Sequence, residues 1–339
     1  MTSENSEKIV TIIGGSGFIG RHIVRALAKR GYRIRVACRR PDLAGHVQPL
    51  GNPGQVMPVQ ANVRYPASLA AACDGATAVI NLTGVLFSSG AQSFDAIHVF
   101  GAEASAKAAK AAKAKVFIQM SALGADASSS SEYARSKAVG EAKAKAAFPG
   151  AIILRPSIVF GPEDNFFNQF AGLSRLAPAL PLIGGGHTKF TPLFVGDLAE
   201  AIATLVDRGD ASGQTLELGG PEVFTFKQII EFTLDTVGRK RLLIPVPWTI
   251  AKIMGMTLGL LNNSTFRSMT LGIPPKAPLT ADQVELLKTD NVVSEAATRE
   301  GRDLASLGIT GQSIQGIVPS YLYRYRKAGQ FTAPNGMPE

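Results

Sequence analysis

The sequence predicts an α/β protein with a Rossmann-type, doubly wound parallel sheet and a smaller C-terminal α/β lobe. Three observations lead to this prediction. Short apolar, β-branched runs alternate with stretches of helical spacing over residues 9–154, as in parallel sheets covered by helices. A glycine-rich turn links the first run to the first helix, and Pro- and Gly-rich connections replace the alternation from about residue 157. We therefore expect a Rossmann core over residues 8–156, to which later segments return, and a second lobe over residues 157–330.

The first predicted strand, residues 9–13, is followed at once by the sequence GGSGFIG and by a helix over residues 21–30. Glycines at such a junction let the backbone approach a pyrophosphate, whose charge is met by free N–H groups and the dipole of the helix N-terminus. The place between strand and helix indicates a dinucleotide-binding turn, and the alternative is a glycine-rich turn without a ligand. The cofactor contacts expected from this turn are Gly14, Ser16, Gly17, Phe18, Ile19 and Gly20.

The end of the second predicted strand, residues 33–37, bears on the choice of nucleotide. Rossmann proteins that prefer NAD place an Asp or Glu about 20 residues after the glycine turn, where it accepts from the ribose 2′-hydroxyl. Here Cys38 occupies that position, and Arg39 and Arg40 follow it. A guanidinium can pair with a 2′-phosphate that a carboxylate would repel. The sequence therefore favours NADP(H), with NAD(H) as the alternative.

The alternation of strands and helices continues through the rest of the core. Further strands are predicted at residues 55–59, 77–82, 116–120 and 151–154, and helices at residues 69–72, 94–114 and 131–147. Ligands of doubly wound sheets bind at the carboxyl ends of the strands. The residues at or after strand ends that we expect to contact the cofactor are Asn62, Val63, Leu82, Thr83, Gly84 and Pro156.

A candidate catalytic set follows in the same stretch of chain. Tyr133 and Lys137 are spaced i and i+4, which places a phenol and an ammonium on one face of a predicted helix. A tyrosine that acts as a general acid/base must lower its pKa from about 10 toward neutrality, and a nearby cation does this by favouring phenolate. Ser121, at the end of the preceding strand, is expected to reach the same pocket and hydrogen-bond a substrate oxygen. Tyr133 and Lys137 are also expected to contact the cofactor. The sequence does not predict a metal site.

These motifs together resemble the extended and atypical short-chain dehydrogenase/reductase superfamily over about residues 8–240. The resemblance implies a bound nicotinamide nucleotide, with Tyr133 and Lys137 in catalysis and Lys137 also touching the nicotinamide ribose. His98 departs from that pattern, because many extended members carry an Asn there that supports a proton relay. A closer resemblance, to the NADPH-binding accessory subunits of respiratory complex I and their bacterial relatives, rests on residues 129–141, 147–157 and 160–168.

Charge and hydropathy narrow the choice of partners. The formal net charge is +9, but outside the short basic, aromatic end at residues 321–327 the sequence has no basic run interleaved with aromatics, so nucleic-acid binding is not predicted. An anionic membrane surface or an acidic protein face remains as a partner hypothesis, and a scatter of solvated cations is the alternative. The apolar segment 242–261 contains two prolines and Lys252, so we do not expect it to span a membrane. It is expected to pack on the core, or on a partner or membrane surface.

Cysteine usage and the polar start of the chain predict a cellular location. Cys38 and Cys73 lie far apart without a CxxC pattern, and the first seven residues are polar and acidic, unlike a secretory or mitochondrial presequence. We therefore expect a cytoplasmic protein, peripheral at the cytoplasmic face of the inner membrane if it binds there.

Three functions are consistent with this sequence. The resemblance favours an accessory subunit docked on the peripheral arm of respiratory complex I, in which nucleotide chiefly serves assembly or stability. The alternative is a free NADP(H)-dependent oxidoreductase or epimerase acting on a small carbonyl, sugar-nucleotide or quinone-like substrate. A third hypothesis is a redox-sensing regulator. Because Ser121, Tyr133 and Lys137 are all present, the sequence leaves turnover open.

Overall fold

The structure is a computed structural model that describes residues 5–260 and 279–331. Its strands are β1 Ile9–Ile13, β2 Arg33–Cys38, β3 Val56–Gln60, β4 Ala78–Asn81, β5 Val116–Met120, β6 Ile152–Pro156, β7 Val159–Phe160, β8 Ala179–Ile183, β9 Lys189–Phe190, β10 Leu193–Phe194, β11 Thr215–Leu218, β12 Phe224–Thr225 and β13 Leu242–Val246. Its α-helices are α1 Phe18–Lys29, α2 Pro66–Cys73, α3 Gly101–Ala111, α4 Glu132–Ala147, α5 Phe167–Leu176, α6 Val195–Arg208, α7 Phe226–Thr236, α8 Trp248–Leu260, α9 Ala281–Leu286, α10 Glu295–Arg299, α11 Ile314–Ile317 and α12 Pro319–Leu322.

The chain forms two compact units, and the first is a Rossmann core. It contains the described residues of segments 1–156, 195–218 and 294–309. Its strands form one sheet in the order β11-β6-β5-β4-β1-β2-β3, and every pairing in that sheet is parallel. The run from β3 to β6 has the strand order of dinucleotide-binding sheets. The predicted fold class is therefore confirmed.

Short buried strands and small helix residues explain how this core packs. Strands β4 and β5 are buried along their whole length, as expected of strands covered on both faces. Alanines supply most of the buried face of α3, so its neighbours can approach closely. A π-helical turn, Asp95–Phe100, leads into α3. Helix α4 comes so near this turn that a Cβ at Gly140 would overlap the His98 carbonyl oxygen.

The second unit consists of the described residues of segments 157–194, 219–293 and 310–339. It holds three two-stranded sheets, β7 with β10, β8 with β13, and β9 with β12, around a core rich in phenylalanine. Asp164 organises the loop before α5, because its carboxylate accepts hydrogen bonds from the backbone N–H groups of Gly161, Phe166 and Asn168. The Tyr321 hydroxyl donates to the same carboxylate at 2.6 Å.

Helix α8 buries one side and exposes apolar residues on another. Ala251 is fully buried in a small cluster with Val284 of α9. In contrast, Ile250, Ile253 and Met256 are 51%, 62% and 51% exposed. Residue 261, the end of the predicted apolar segment, lies outside the described residues. Among the residues that the structure describes, none of the helices has both the length and the hydropathy needed to cross a bilayer.

Candidate functional site

A cavity of about 340 Å³ lies at the carboxyl ends of the central strands of the first unit. The predicted cofactor contacts that line it are Gly14, Ser16, Gly17, Arg39, Asn62, Val63, Leu82, Thr83 and Gly84. The predicted contacts that lie outside the lining are Phe18, Ile19, Gly20, Arg40, Tyr133, Lys137 and Pro156. The lining also includes residues that were not predicted from the sequence as cofactor contacts, among them Arg64, Val85, Gln92 and Ile97.

The glycines of the first turn have two different roles. Gly14 has a φ of +81°, in the region that glycine adopts without strain, and Gly17 opens onto the cavity as the N-cap of α1. Gly20 instead permits packing, because an added Cβ would lie 2.5 Å from the Cα of Gly15. The two roles match the cradle and the close packing that a pyrophosphate-binding turn requires. The turn thus has the features of a pyrophosphate-binding turn.

The two adjacent arginines after β2 face different surroundings. Arg39 lines the cavity, whereas Arg40 is exposed and forms an ion pair with Asp42 at 2.6 Å. One of the two therefore faces the cavity, and the other is held by a neighbouring carboxylate at the surface. Cys38 also lines the cavity and shares a hydrogen bond with the Ser16 side chain. Burial raises the pKa of the Cys38 thiol, which keeps it neutral.

Tyr133 and Lys137 lie together on α4, whose first turn is capped by the Ser131 side chain. The Lys137 ammonium is 5.7 Å from the centroid of the Tyr133 ring and donates to the carbonyl oxygen of Met120 at 3.4 Å. Burial lowers the pKa of Lys137 to about 8, although the Glu141 carboxylate opposes this. A Cβ at Gly84 would lie 3.3 Å from Lys137 Nζ. The ammonium therefore sits directly behind the cavity wall.

Ser121 has a protein partner that the sequence reading did not foresee. Its hydroxyl donates to the carboxylate of Glu141 on α4, which is 7% exposed. Arg155 holds the same carboxylate through two bonds, of 2.9 and 2.7 Å. A hydroxyl has a single proton, so Ser121 can only accept from other groups while this bond stands. Glu141 lies one helical turn beyond Lys137. This i, i+4 spacing is the sequence feature from which its place near the site could have been predicted.

His98 lies between the cavity wall and α4. Its Nε2 accepts a hydrogen bond from the Val85 N–H at 3.0 Å, and its Nδ1 is 2.9 Å from the Ser136 hydroxyl oxygen. Its ring stacks on Phe94 and meets the edge of Tyr133, with both centroid distances at 5.4 Å. Burial, followed by the charge of Lys137, lowers the pKa of His98 to about 3. The imidazole is therefore neutral at physiological pH.

Comparison with known proteins agrees with this architecture. Residues 10–219 match the family model described as NAD dependent epimerase/dehydratase family. The mitochondrial NADH dehydrogenase (ubiquinone) 1 alpha subcomplex subunit 9 of Arabidopsis thaliana is 35% identical over 324 residues, which are 95% of this chain and 79% of that protein. The ceramide reductase of Caulobacter vibrioides is 31% identical over 300 residues, covering 86% of this chain and 88% of that protein.

A solved structure supports the fold from a greater evolutionary distance. The NADPH-dependent quinone oxidoreductase QOR2 of Escherichia coli, complexed with NADPH, superposes with a TM-score of 0.69 at 18% identity, covering 93% of this chain and 99% of that one. At this identity the similarity supports only the fold, which is an NAD(P)-binding one. The family model matches more than half of the chain, and the fold agrees with it. The chain therefore belongs to the NAD dependent epimerase/dehydratase family.

Proposed function

We propose that the protein is an accessory subunit of respiratory complex I, in which a bound nicotinamide nucleotide stabilises the fold and the assembly. The observation that carries this proposal is the relationship to the NADH dehydrogenase subunit of Arabidopsis thaliana, which extends over 95% of the chain at 35% identity. The corresponding subunit of Rattus norvegicus is 32% identical over 86% of the chain. A relationship of this extent includes both compact units.

The polar groups near Tyr133 support a role without turnover. A reductase of this type needs a hydroxyl that donates to the substrate oxygen and a path that returns protons to the tyrosine. Here the Ser121 proton is directed to Glu141, and both nitrogens of His98 are engaged by protein groups. Tyr133 and Lys137 lie next to each other, with Lys137 beside Gly84 of the cavity wall, and we propose that they hold the nicotinamide ribose.

The test is a genetic replacement combined with isolation of the intact complex. The native protein should co-migrate with complex I after mild detergent extraction, and its deletion should reduce the amount or stability of that complex. Tyr133→Phe should restore the complex, because only a hydroxyl is lost. If Tyr133→Phe behaves like the deletion, or if the deletion leaves complex I unchanged, the accessory role is refuted.

The second candidate function is that of a free NADP(H)-dependent oxidoreductase. It is favoured by the relationship to the Caulobacter ceramide reductase, which covers 86% of this chain, and by the adjacent Tyr133 and Lys137. A bound nicotinamide would supply hydride to a carbonyl carbon, and Tyr133 would supply the proton to its oxygen. Steady oxidation of NADPH on addition of a long-chain carbonyl substrate, lost in Tyr133→Phe, would establish this function in place of the first.

We infer that the nucleotide is NADP(H), on the strength of Arg39 in the cavity lining and of the neutral Cys38 at the position where NAD-binding proteins carry an acid. NADPH should bind at least about tenfold tighter than NADH, a difference of about 1.4 kcal/mol. Arg39→Ala should remove that difference, whereas Arg40→Ala is the matched control and should retain it, since Arg40 is paired with Asp42. Equal calorimetric affinities of the unmodified protein for NADPH and NADH would refute the assignment.

The docking face that we propose is the exposed apolar side of α8, formed by Ile250, Ile253 and Met256. We place it against the peripheral arm of complex I, near the membrane at its cytoplasmic face. Ile253→Glu should abolish co-migration with the complex without altering the melting temperature. Leu43→Glu is the control, because Leu43 is 68% exposed in the first unit. Binding of the purified protein to anionic vesicles, lost in Ile253→Glu, would instead identify the membrane as the partner.

A further inference from the structure

The buried histidine at the site has a role that the tyrosine and lysine do not explain. We propose that His98 is a positioning residue that joins the wall of the nucleotide cavity to the helix carrying Tyr133 and Lys137, through a neutral ring protonated at Nδ1. The inference deepens the proposed function, since it rests on the cavity holding a nicotinamide nucleotide. His98 itself is 3% exposed, so its hydrogen bonds are made within the protein.

The two partners of the ring fix its tautomer. The Val85 N–H can only donate, so Nε2 must present its lone pair at 3.0 Å. A neutral imidazole then carries its proton on Nδ1, which donates to the Ser136 hydroxyl oxygen at 2.9 Å. The Ser136 hydroxyl donates a hydrogen bond to the carbonyl oxygen of Tyr133 at 2.8 Å. In this series of three hydrogen bonds, every donor is therefore matched to an acceptor.

This chain of hydrogen bonds connects the cavity to α4. Val85 and Gly84 line the cavity, and a Cβ at Gly84 would lie 3.6 Å from His98 Nε2 and 3.3 Å from Lys137 Nζ. On the other side, Ser136 belongs to α4. The cavity wall at Gly84, the imidazole and the ammonium therefore meet at one point. Displacing the ring would move the wall relative to Lys137.

Because both ring nitrogens are held in these hydrogen bonds, His98 does not serve as a proton relay. A relay needs a ring nitrogen that exchanges its proton, and protonation of Nε2 would break the bond to Val85. The titratable groups that face the ring from α4 are Tyr133, at 5.4 Å between centroids, and Lys137, whose charge together with burial holds the pKa of His98 near 3. Asp95 lies in the same π-helical turn. The ring accordingly stays neutral across the physiological range.

The first experiment observes the tautomer directly in the full-length protein. Of the four histidines, His98 is buried and the other three are partly or fully exposed. Nitrogen-detected NMR of the labelled chain should show one histidine as a neutral Nδ1–H tautomer that does not titrate between about pH 5 and pH 8, where an ordinary histidine does. The signal should vanish in His98→Phe. A proton on Nε2, or a midpoint near 6.5, would overturn the proposal.

The second experiment measures nucleotide affinity in two variants of His98. His98→Phe keeps an aromatic ring against Phe94 and Tyr133 but loses both hydrogen bonds, so NADPH should bind about tenfold more weakly. His98→Gln offers an amide NH₂ group as donor and a carbonyl oxygen as acceptor and should bind within about threefold of the unmodified protein. Ser105→Ala is the control, because it removes a buried hydrogen bond, from Ser105 to Gly101, in helix α3.

The outcomes separate this inference from the proposed function. Affinity of His98→Phe equal to that of the unmodified protein, or of His98→Gln equal to that of His98→Phe, would overturn the positioning role while leaving the association with complex I intact. If the unmodified protein does not associate with complex I, the proposed function is refuted. The tautomer of His98 in the isolated protein does not depend on that result.

Discussion

Lys137 should destabilise the folded protein when nucleotide is absent. Its side chain is 7% exposed, and burial lowers its pKa from 10.5 to about 8. Since one pKa unit corresponds to about 1.4 kcal/mol, keeping this lysine charged in the fold costs about 3 kcal/mol of stability. Lys137→Met keeps the length of the side chain and removes the charge. At pH 7 the variant without nucleotide should therefore be more stable than the unmodified protein by about 2 kcal/mol, after the weak bond to Met120 is lost.

The sign of the pH dependence follows from proton binding. Below pH 8 the lysine is charged in both the folded and unfolded states, so the full cost is present. Between pH 8 and 10.5 the unfolded chain binds more protons than the fold, and the stability of the unmodified protein rises with pH relative to the variant. The advantage of Lys137→Met should therefore shrink above pH 8 and reverse by about pH 10.5, where the neutral lysine keeps its bond to Met120 and no longer carries the cost of the charge.

Urea unfolding at several pH values between 7 and 10 measures this difference, and calorimetry with NADPH measures the accompanying loss of affinity. Lys110→Met provides the control, because Lys110 is exposed on α3 and its replacement should give a difference that is flat with pH. The reasoning is refuted if Lys137→Met is less stable than the unmodified protein at pH 7, or if the difference does not change across the range.

Two further predictions concern the packing of the site. Gly20→Ala should destabilise the unliganded protein by about 2–3 kcal/mol, because the added Cβ meets the backbone of Gly15. Gly17→Ala should leave the stability of the unliganded protein unchanged and weaken nucleotide binding. Equal melting temperatures of the two variants would contradict this prediction. Arg155→Met should cost about 3 kcal/mol, since it leaves the 9% exposed side chain of Glu141 charged without its cation. Adding Glu141→Gln should recover part of that loss in denaturant unfolding, and no recovery would show that the ion pair is not the cause.

The order and type of the core elements were predictable from the sequence because they depend on local patterns. Strands β1 to β6 are short apolar runs whose period differs from that of the helices between them. The glycine turn could be located because strand and helix flank it at fixed distances. The return of segments 195–218 and 294–309 to the first unit depends on pairings between distant residues, and nothing local in those segments specifies them.

The site was predictable in its residue types and less so in its contacts. Arg39 and Arg40 have the same side chain, but only Arg39 lines the cavity, and Arg40 is paired with Asp42 at the surface. Ser121 was expected to serve a substrate, and its preference for Glu141 depends on how α4 packs against the sheet. His98 could be noticed as a departure from Asn, whereas its tautomer follows from Val85 and Ser136, which the sequence does not place beside it.

The interleaved construction of the first unit has a consequence for biosynthesis. Among the described residues, those that line the cavity run from position 13 to position 97, so the strands that form it leave the ribosome early. The edge of β6, however, is paired by β11, which is translated some sixty residues later at the usual rate of a few to twenty residues per second. During that interval the nascent sheet exposes the backbone groups of an apolar strand, which is a template for association with another chain. Release of the chain after residue 156, by truncation or premature termination, would make that exposure permanent, and the fragment should aggregate.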